Sequence, residues 1–296
     1  MIFYNLITFL YLPFALFKVF SKKEFSREEV HRIKERFGFL PKKIKNAEEN
    51  CIWIHAVSVG EVNTSLSLIE GLKEKYPKKN ILVTTTTVTG SQRLKKIHGN
   101  SLNHQYMPFD LFFSVHKFLN SWNPICMILI DTEVWPNMID QCSKRNIPSI
   151  LLNGRLSNDS AKKYLKISSL SKKIFSKIDL IISQSQEDKN NFIKLGAKEE
   201  KTFHDFSLKF DAANEILSGL SFKVDKNALA DKKLIVCAST HPSEEEILLE
   251  SFKYLNDDSF HLILVPRHPH RASDVGKIMK EKSLDFSFLE IENKNL

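Results

Sequence analysis

The sequence predicts an α/β fold in which parallel sheets are covered by helices, arranged as two successive units. Three observations carry this expectation. Apolar runs at 51–56, 81–85, 126–130, 148–152 and 179–183 alternate with stretches of helical period, and such alternation yields parallel sheets buried on both faces. A second alternating stretch follows residue 233. The length of 296 residues suits about two domains at ~150 residues each.

Residues 1–45 precede the first strand and read as a membrane-anchor or interfacial helix followed by a basic segment. The opening "MIFYNLITFLYLPFALFKVF" is apolar and aromatic almost throughout. A spanning helix needs ~20 mostly apolar residues. Only 17 precede Lys18, so a spanning helix, one lying on an anionic leaflet and a buried helix of a soluble domain all stay open. Cations follow at Lys18, Lys22, Lys23 and Arg27, which would hold the rest of the chain on the cytoplasmic side. The net charge of +8 is concentrated here, where ten Lys/Arg face four Glu. A cleaved signal peptide would carry its charge first and end in small residues, and this segment does neither.

The first sheet unit is placed at 46–211. Helices are expected near 62–76, 90–97, 110–120, 136–145, 158–175 and 186–195, with a short strand near 104–107. Residues 212–233 are polar and weakly periodic and read as a linker. The second unit, 234–296, alternates "KLIVCAST", "HPSEEEILLESFKYL", "FHLILVPRHPH" and a helix near 271–282. A doubly wound domain usually needs ~100 residues or more, so this second domain is expected to be incomplete. Cys51, Cys126, Cys142 and Cys237 form no CxxC pair and read as reduced thiols without zinc.

Seven polar clusters fall at strand carboxyl ends, where ligands of parallel sheets bind. They are "SVGE", "TTTTVTGS", "DTEVWPN", "NGRLS", "SQSQED", "STHPSEEE" and "VPRHPHR". Glu61, in the first, can be a helix-start residue complementing the macrodipole or an ionised carboxylate facing a cleft as general base. Ser58 and Gly60 flank it. Asp131 and Glu133 lie on one side of an extended segment by period 2; the alternative is capping by Asp131 or Thr132. Thr89 and Gly90 open a helix start of the kind that receives anions, the alternative being a β-rich threonine strand with a glycine turn, and Arg155 follows the strand at 148–152. In the second unit Ser243 reads as an N-cap, with His241 just before it. Arg267, His268, His270 and Arg271 suit a phosphate or carboxylate. Two histidines without a third or a carboxylate at ligand spacing do not make a metal site, and neither a P-loop nor a GxGxxG fingerprint is present.

"WIHAVSVGEV", "TTTTVTGS", "TEVWPN", "SQSQED…LGA", "LKFD", "STHPSEEE" and "VPRHPHR", in this order, together resemble the 3-deoxy-D-manno-octulosonic acid (Kdo) transferases of lipopolysaccharide synthesis, glycosyltransferase family 30. The resemblance implies a GT-B-like fold of two Rossmann-like domains across a cleft. It implies inverting, metal-independent transfer of Kdo from CMP-Kdo to the lipid A precursor (lipid IVA), at the cytoplasmic side of the bacterial inner membrane. No cofactor and no nucleic acid are implied. By position Glu61 matches the general base and Lys209 a charge-stabilising lysine. Asp131, with Glu133 as runner-up, matches the second catalytic acid. Arg267 and His268 match residues that hold the CMP part. His241, Ser58, Gly60, Thr89, Gly90 and Arg155 are the further candidates for substrate binding. This chain departs from the family in Asp131-Thr132-Glu133, where Glu-Thr-Glu is usual, and in Phe206-Ser207, where Gly-Asn is usual. The family also continues past this end with Gly-Gly and Asn-Pro-Leu-Glu segments, so the chain reads as C-terminally truncated. A non-catalytic, membrane-associated remnant that binds acceptor lipid is the alternative, and a nucleotide-sugar epimerase relative the third reading.

Overall fold

The computed structural model describes residues 1–21, 30, 32–41, 50–99, 101–205, 208 and 232–288. The chain divides into two units, 1–218 and 219–296. Apolar alternation sets the first. In β1 (Ile52–His55) Trp53 packs into one hydrophobic cluster, while Ile52 and Ile54 enter the other. β2 (Ile81–Thr85) and β4 (Cys126–Ile130) repeat this, with Leu82, Met127 and Leu129 on the first face and Ile81, Val83, Ile128 and Ile130 on the second. Side chains with period 2 thus feed two cores, one on each side of one sheet. With β3 (Asn103–Tyr106), β5 (Ser149–Gly154), β6 (Leu180–Ser183) and β7 (Thr202–His204), the sheet runs β3-β2-β1-β4-β5-β6-β7, and each pairing is parallel. Every strand therefore ends its carboxyl edge on the same side. This is the expected α/β architecture.

Helix α1 (Ile2–Phe20) precedes the sheet and carries Pro13 inside it. One face meets the core through Tyr4, whose hydroxyl donates to Asp110 Oδ2 at 2.8 Å. The other exposes large apolar side chains, among them Ile2 (89%), Phe3 (75%), Phe9, Leu10 and Phe17. The spanning form of the expected membrane helix is corrected: among the described residues no helix is long and apolar enough to cross a membrane. A 3-10 turn at Ile33–Phe37 then closes the sheet edge. Buried Glu35 accepts Arg32 on both carboxylate oxygens at 2.8 Å and the Tyr106 amide at 2.9 Å. The Arg32 and Arg36 guanidinium carbons stand 4.1 and 4.4 Å from the Tyr106 ring centre.

The crossover helices differ from the expected spans where hydroxyls intrude. The helix expected over 62–76 splits into α2 (Val59–Thr64) and α3 (Leu66–Lys75). Thr64 Oγ1 donates to Gly60 O, and Ser65 Oγ donates to Val62 O; such back-bonding competes with the helix ladder and bends it. The span 158–175 likewise divides into α7 (Asn158–Leu165) and α8 (Ser168–Phe175), with Ser171 Oγ donating to Tyr164 O across the break. α4 (Val88–His98), α5 (Phe112–Trp122), α6 (Pro136–Lys144) and α9 (Gln186–Lys194) fall close to the expected places.

The second unit pairs β8 (Lys233–Thr240) with β9 (Phe260–Pro266) in parallel, joined through α10 (Glu244–Leu255) and followed by α11 (Ala272–Glu281). Ser243 precedes α10 with φ 74° and makes no side-chain cap. The expected side-chain cap is corrected: the Ser243 hydroxyl donates to the Pro242 carbonyl, and Glu244 Oε2 accepts the His241 amide, which lies before the helix, at 2.8 Å. Fully buried Glu245 accepts Arg271 Nη1 at 2.8 Å and the Thr240 hydroxyl at 2.9 Å. Burial opposes ionisation, but the bonds from Arg271 and Thr240 outweigh it and hold the carboxyl below its ordinary range. A depressed folded pKa contributes stability that is present above the unfolded pKa and lost as pH falls through the folded one. Replacing Arg271→Leu strands the buried charge and is expected to cost about 3–5 kcal/mol near neutrality. Urea titrations should show that gap narrowing as the pH is lowered below the carboxylate range.

Candidate active site

The loops that follow β1 and β2 meet at Val57. Its carbonyl accepts the Thr86 and Thr87 amides at 3.0 and 3.1 Å and the Thr87 hydroxyl at 3.2 Å. Its N–H donates to Glu61 Oε2. Ser58 takes the N-cap position of α2, and its hydroxyl donates to Glu61 Oε1 at 3.4 Å. Glu61 thus reaches back over the helix start much as a capping-box glutamate does. The helix-start role is real, and it aims the carboxylate rather than excluding chemistry. Gly60 is exposed, and a Cβ there would find only Ser58 Oγ, at 3.9 Å, so nothing covers the backbone beside Glu61. Gly90 is different. A Cβ on it would lie 2.9 Å from Thr87 Oγ1 and 3.3 Å from the Ser58 carbonyl carbon. Its place is close packing of α4 on the 57–58 loop, with its amide donating to Thr87 Oγ1 at 3.1 Å. Thr89 is exposed, with its hydroxyl 3.4 Å from that of Thr87.

Two further carboxylates stand near. Asp131, at the end of β4, has φ +59° and accepts Asn153 Nδ2. Asn153, at the end of β5, also has φ +59°. Left-handed backbone costs least for Asn and Asp among residues with a Cβ. Asn153 Oδ1 in turn accepts the Leu208 amide at 3.2 Å. Glu133 follows in the same loop, and its Oε2 accepts Trp135 Nε1 at 3.1 Å. Thr132 ties this loop to the next: its hydroxyl bonds the Arg155 carbonyl and accepts the Arg155 amide at 2.9 Å, leaving the arginine side chain exposed. Burial pushes the Glu61 carboxyl up to about 7; the Val57 N–H opposes this, and the charges of Glu133 and Asp131 add to it. Burial also raises Glu133, with the Trp135 bond opposing and Asp131 adding. The structure therefore brings Glu61, Asp131 and Glu133 into one electrostatic cluster with Ser58. An acid near neutrality in such a cluster can take a proton from a hydroxyl.

Other candidate residues are placed differently. Lys209 lies outside the described residues. Arg267, His268 and His241 belong to the second unit and are exposed, with the His268 and His270 rings stacked at 5.6 Å. Asp110 was not singled out in the sequence. Nearly fully buried, it accepts the Asn137 and Met138 amides at 2.9 Å each and so caps α6, in place of the expected Asp131 or Thr132. Burial lifts its carboxyl to about 6 against those bonds and that of Tyr4. The "SQSQED" cluster is structural: Ser185 caps α9, and Asp188 Oδ1 accepts the Leu156 amide at 2.6 Å.

Fold and site together define an α/β protein with an acidic centre at the carboxyl edge of a parallel sheet. The fold is shared with the UDP-GlcNAc 2-epimerase of Neisseria meningitidis solved with UDP-GlcNAc bound (TM-score 0.56, 13% identity, 82% of this chain and 73% of that one). A Rickettsia bellii UDP-N-acetylglucosamine 2-epimerase matches at TM-score 0.50 and 13% identity, over 84% and 70% of the two chains. Residues 31–212 match the family model of 3-deoxy-D-manno-octulosonic-acid transferase (kdotransferase), and the chain belongs to that family. A Haemophilus influenzae 3-deoxy-D-manno-octulosonic acid transferase is 37% identical over 89% of this chain and 63% of its own length. A Fusobacterium nucleatum bifunctional glycosyltransferase/methyltransferase is 32% identical over 98% of this chain and 44% of its own. This chain thus spans less than two thirds of these relatives.

The raised Glu61 pKa has a consequence for stability. A carboxyl whose folded pKa is raised contributes stability that is complete below the unfolded pKa and lost as pH rises through the folded value, here about 7. Glu61→Gln keeps a carbonyl oxygen for the Val57 amide and carries no charge. It should match the wild type in acid and unfold at higher temperature than the wild type above pH 7, as thermal melts across the range would record.

Proposed function

We propose that this chain acts as a Kdo transferase, moving Kdo from CMP-Kdo to the lipid A precursor in lipopolysaccharide synthesis. The observation that carries this reading is the Glu61 carboxylate, aimed by Val57 and Ser58, set beside Asp131 and Glu133, and poised near neutrality. In the proposed step a primary hydroxyl of the acceptor attacks the anomeric carbon of Kdo and Glu61 takes its proton. The bond from that carbon to the CMP phosphate oxygen breaks, and CMP leaves with the electron pair. The sugar passes through an oxocarbenium-like state with inversion, as in inverting hydrolysis with an alcohol in place of water. Asp131 stabilises the developing positive charge, and Glu133 is the runner-up for that role. Lys209 is assigned to charge stabilisation by its place in the "LKFD" motif, and Arg267 and His268 to the CMP part.

The acceptor is a lipid, and α1 fits a helix lying on the cytoplasmic leaflet of the bacterial inner membrane. Its exposed face is apolar, including Ile2, Phe3, Phe9 and Phe17, and burial of such a face at the acyl boundary removes it from water.

Incubation with CMP-Kdo and lipid IVA, with product mass recorded, tests the reading. The expected product gains Kdo. Glu61→Gln should lower turnover by about 10²–10⁴-fold, and Asp131→Asn should cost more than Glu133→Gln. Wild-type turnover should rise with pH through about 7 as Glu61 loses its proton. Lipid binding without any product would instead support the non-catalytic remnant.

A further inference from the structure

Between the inner face of α1 and the strand ends lies a cavity of about 330 Å³, within the range of small-molecule sites. Thr8, Ala15 and Val19 line it from the helix; Thr86, Phe109 and Trp135 line it from the sheet side. Trp135 also donates to Glu133, so one wall of the slot is shared with the acidic centre. Tyr4 and Asp110, bonded to each other, belong to the same lining.

The chemistry of the walls selects the occupant. Most polar groups here are already used. The Tyr4 hydroxyl goes to Asp110, the Thr8 hydroxyl to the Asn5 carbonyl, and Arg36 donates to the Thr86 carbonyl. A sugar or nucleotide placed in the slot would bring several hydroxyls without partners, each costly when buried. Thr86 Oγ1 has no hydrogen-bond partner among the described residues, but it is shut off from the open space beside it and offers a ligand nothing. A long apolar chain that brings no polar group into the slot fits these walls. The outer surface of α1 is apolar as well, so such a ligand approaches the slot along a surface of its own kind.

We propose that this slot binds one hydrocarbon chain of the glycolipid acceptor. Seating the chain against Trp135 brings the head group toward Glu133 and Glu61. The glycolipid identity of the occupant rests on the transferase reading; binding of a hydrocarbon chain does not.

The test uses the full chain and the fluorescence of Trp135. The other tryptophans, Trp53 and Trp122, are fully buried in the core, and Trp135→Phe identifies the signal. The probe is a lysophosphatidylcholine with a brominated acyl chain, kept below its micelle concentration, with the unbrominated lipid as control. Saturable quenching of Trp135 is expected. Ala15→Phe, which fills the slot, should weaken it by about tenfold or more, and Ala15→Leu by less. Phe3→Ser, on the outer face, should leave it unchanged. Lipid IVA should displace the probe at lower concentration than a diacyl phospholipid does. Near-UV circular dichroism reports whether each variant keeps its core, and Ala15→Leu carries the test if Ala15→Phe does not fold. Absent quenching, or quenching lost in Phe3→Ser and kept in both Ala15 variants, overturns the slot. Equal displacement by the two lipids overturns the acceptor assignment. No step reads sugar transfer, so a chain that binds the probe and transfers nothing sinks only the transferase reading.

Discussion

The Val57 peptide is the junction on which the site depends. Its carbonyl gathers the Thr86 amide, the Thr87 amide and the Thr87 hydroxyl, and its N–H holds Glu61. Two loops from adjacent parallel strands are thereby locked into one surface. Gly90 makes the junction possible, since a side chain there would press on Thr87 and Ser58. Glu61 is consequently fixed at the helix start, partly out of water, with two further carboxylates in reach. Its proton affinity follows from that placement: burial contributes most, and the neighbouring charges add to it.

The second half of the site rests on backbone that most residues avoid. Asp131 and Asn153 both hold positive φ at the ends of neighbouring strands and are bonded side chain to side chain. Asn153 then bonds the backbone of Leu208. Local conformational cost at such positions persists only where surroundings over-determine it, and here the Thr132 bonds to Arg155 supply further restraint. Asp110 acts from behind. By capping α6 it fixes the helix that follows the Asp131–Trp135 loop, and it is itself held by Tyr4 of α1. The apolar helix and the acidic centre are therefore two ends of one hydrogen-bonded chain of elements.

Much of this was legible in the sequence because it is local. Strands such as 52–55 and 126–130 are short apolar runs buried on both faces, and their alternation with helices fixed the parallel arrangement. Glu61, Asp131 and Glu133 were legible because strand-end loops collect on one edge. What was missed depends on distant partners or on hydroxyls. Asp110 caps a helix 27 residues away, which no local pattern announces. The breaks at Ser65 and near Ile167 accompany side-chain bonds to backbone carbonyls inside stretches whose apolar period is continuous. Ser243 looked like a side-chain N-cap by residue type, but it holds positive φ and its hydroxyl donates to the Pro242 carbonyl instead of accepting a helix amide. Arg271 looked like a ligand-facing cation, and buried Glu245 claims it.

The loop geometry withdraws Glu61 from water beside Glu133 and Asp131, and so tunes it to take a proton near neutrality. Carbon-13 NMR titration of side-chain carboxyls, with Glu61 assigned through Glu61→Gln, measures this directly. A midpoint near 7 is the expected result. A midpoint near the ordinary glutamate value of about 4.3 would contradict the account, leaving Glu61 a solvated helix-start residue.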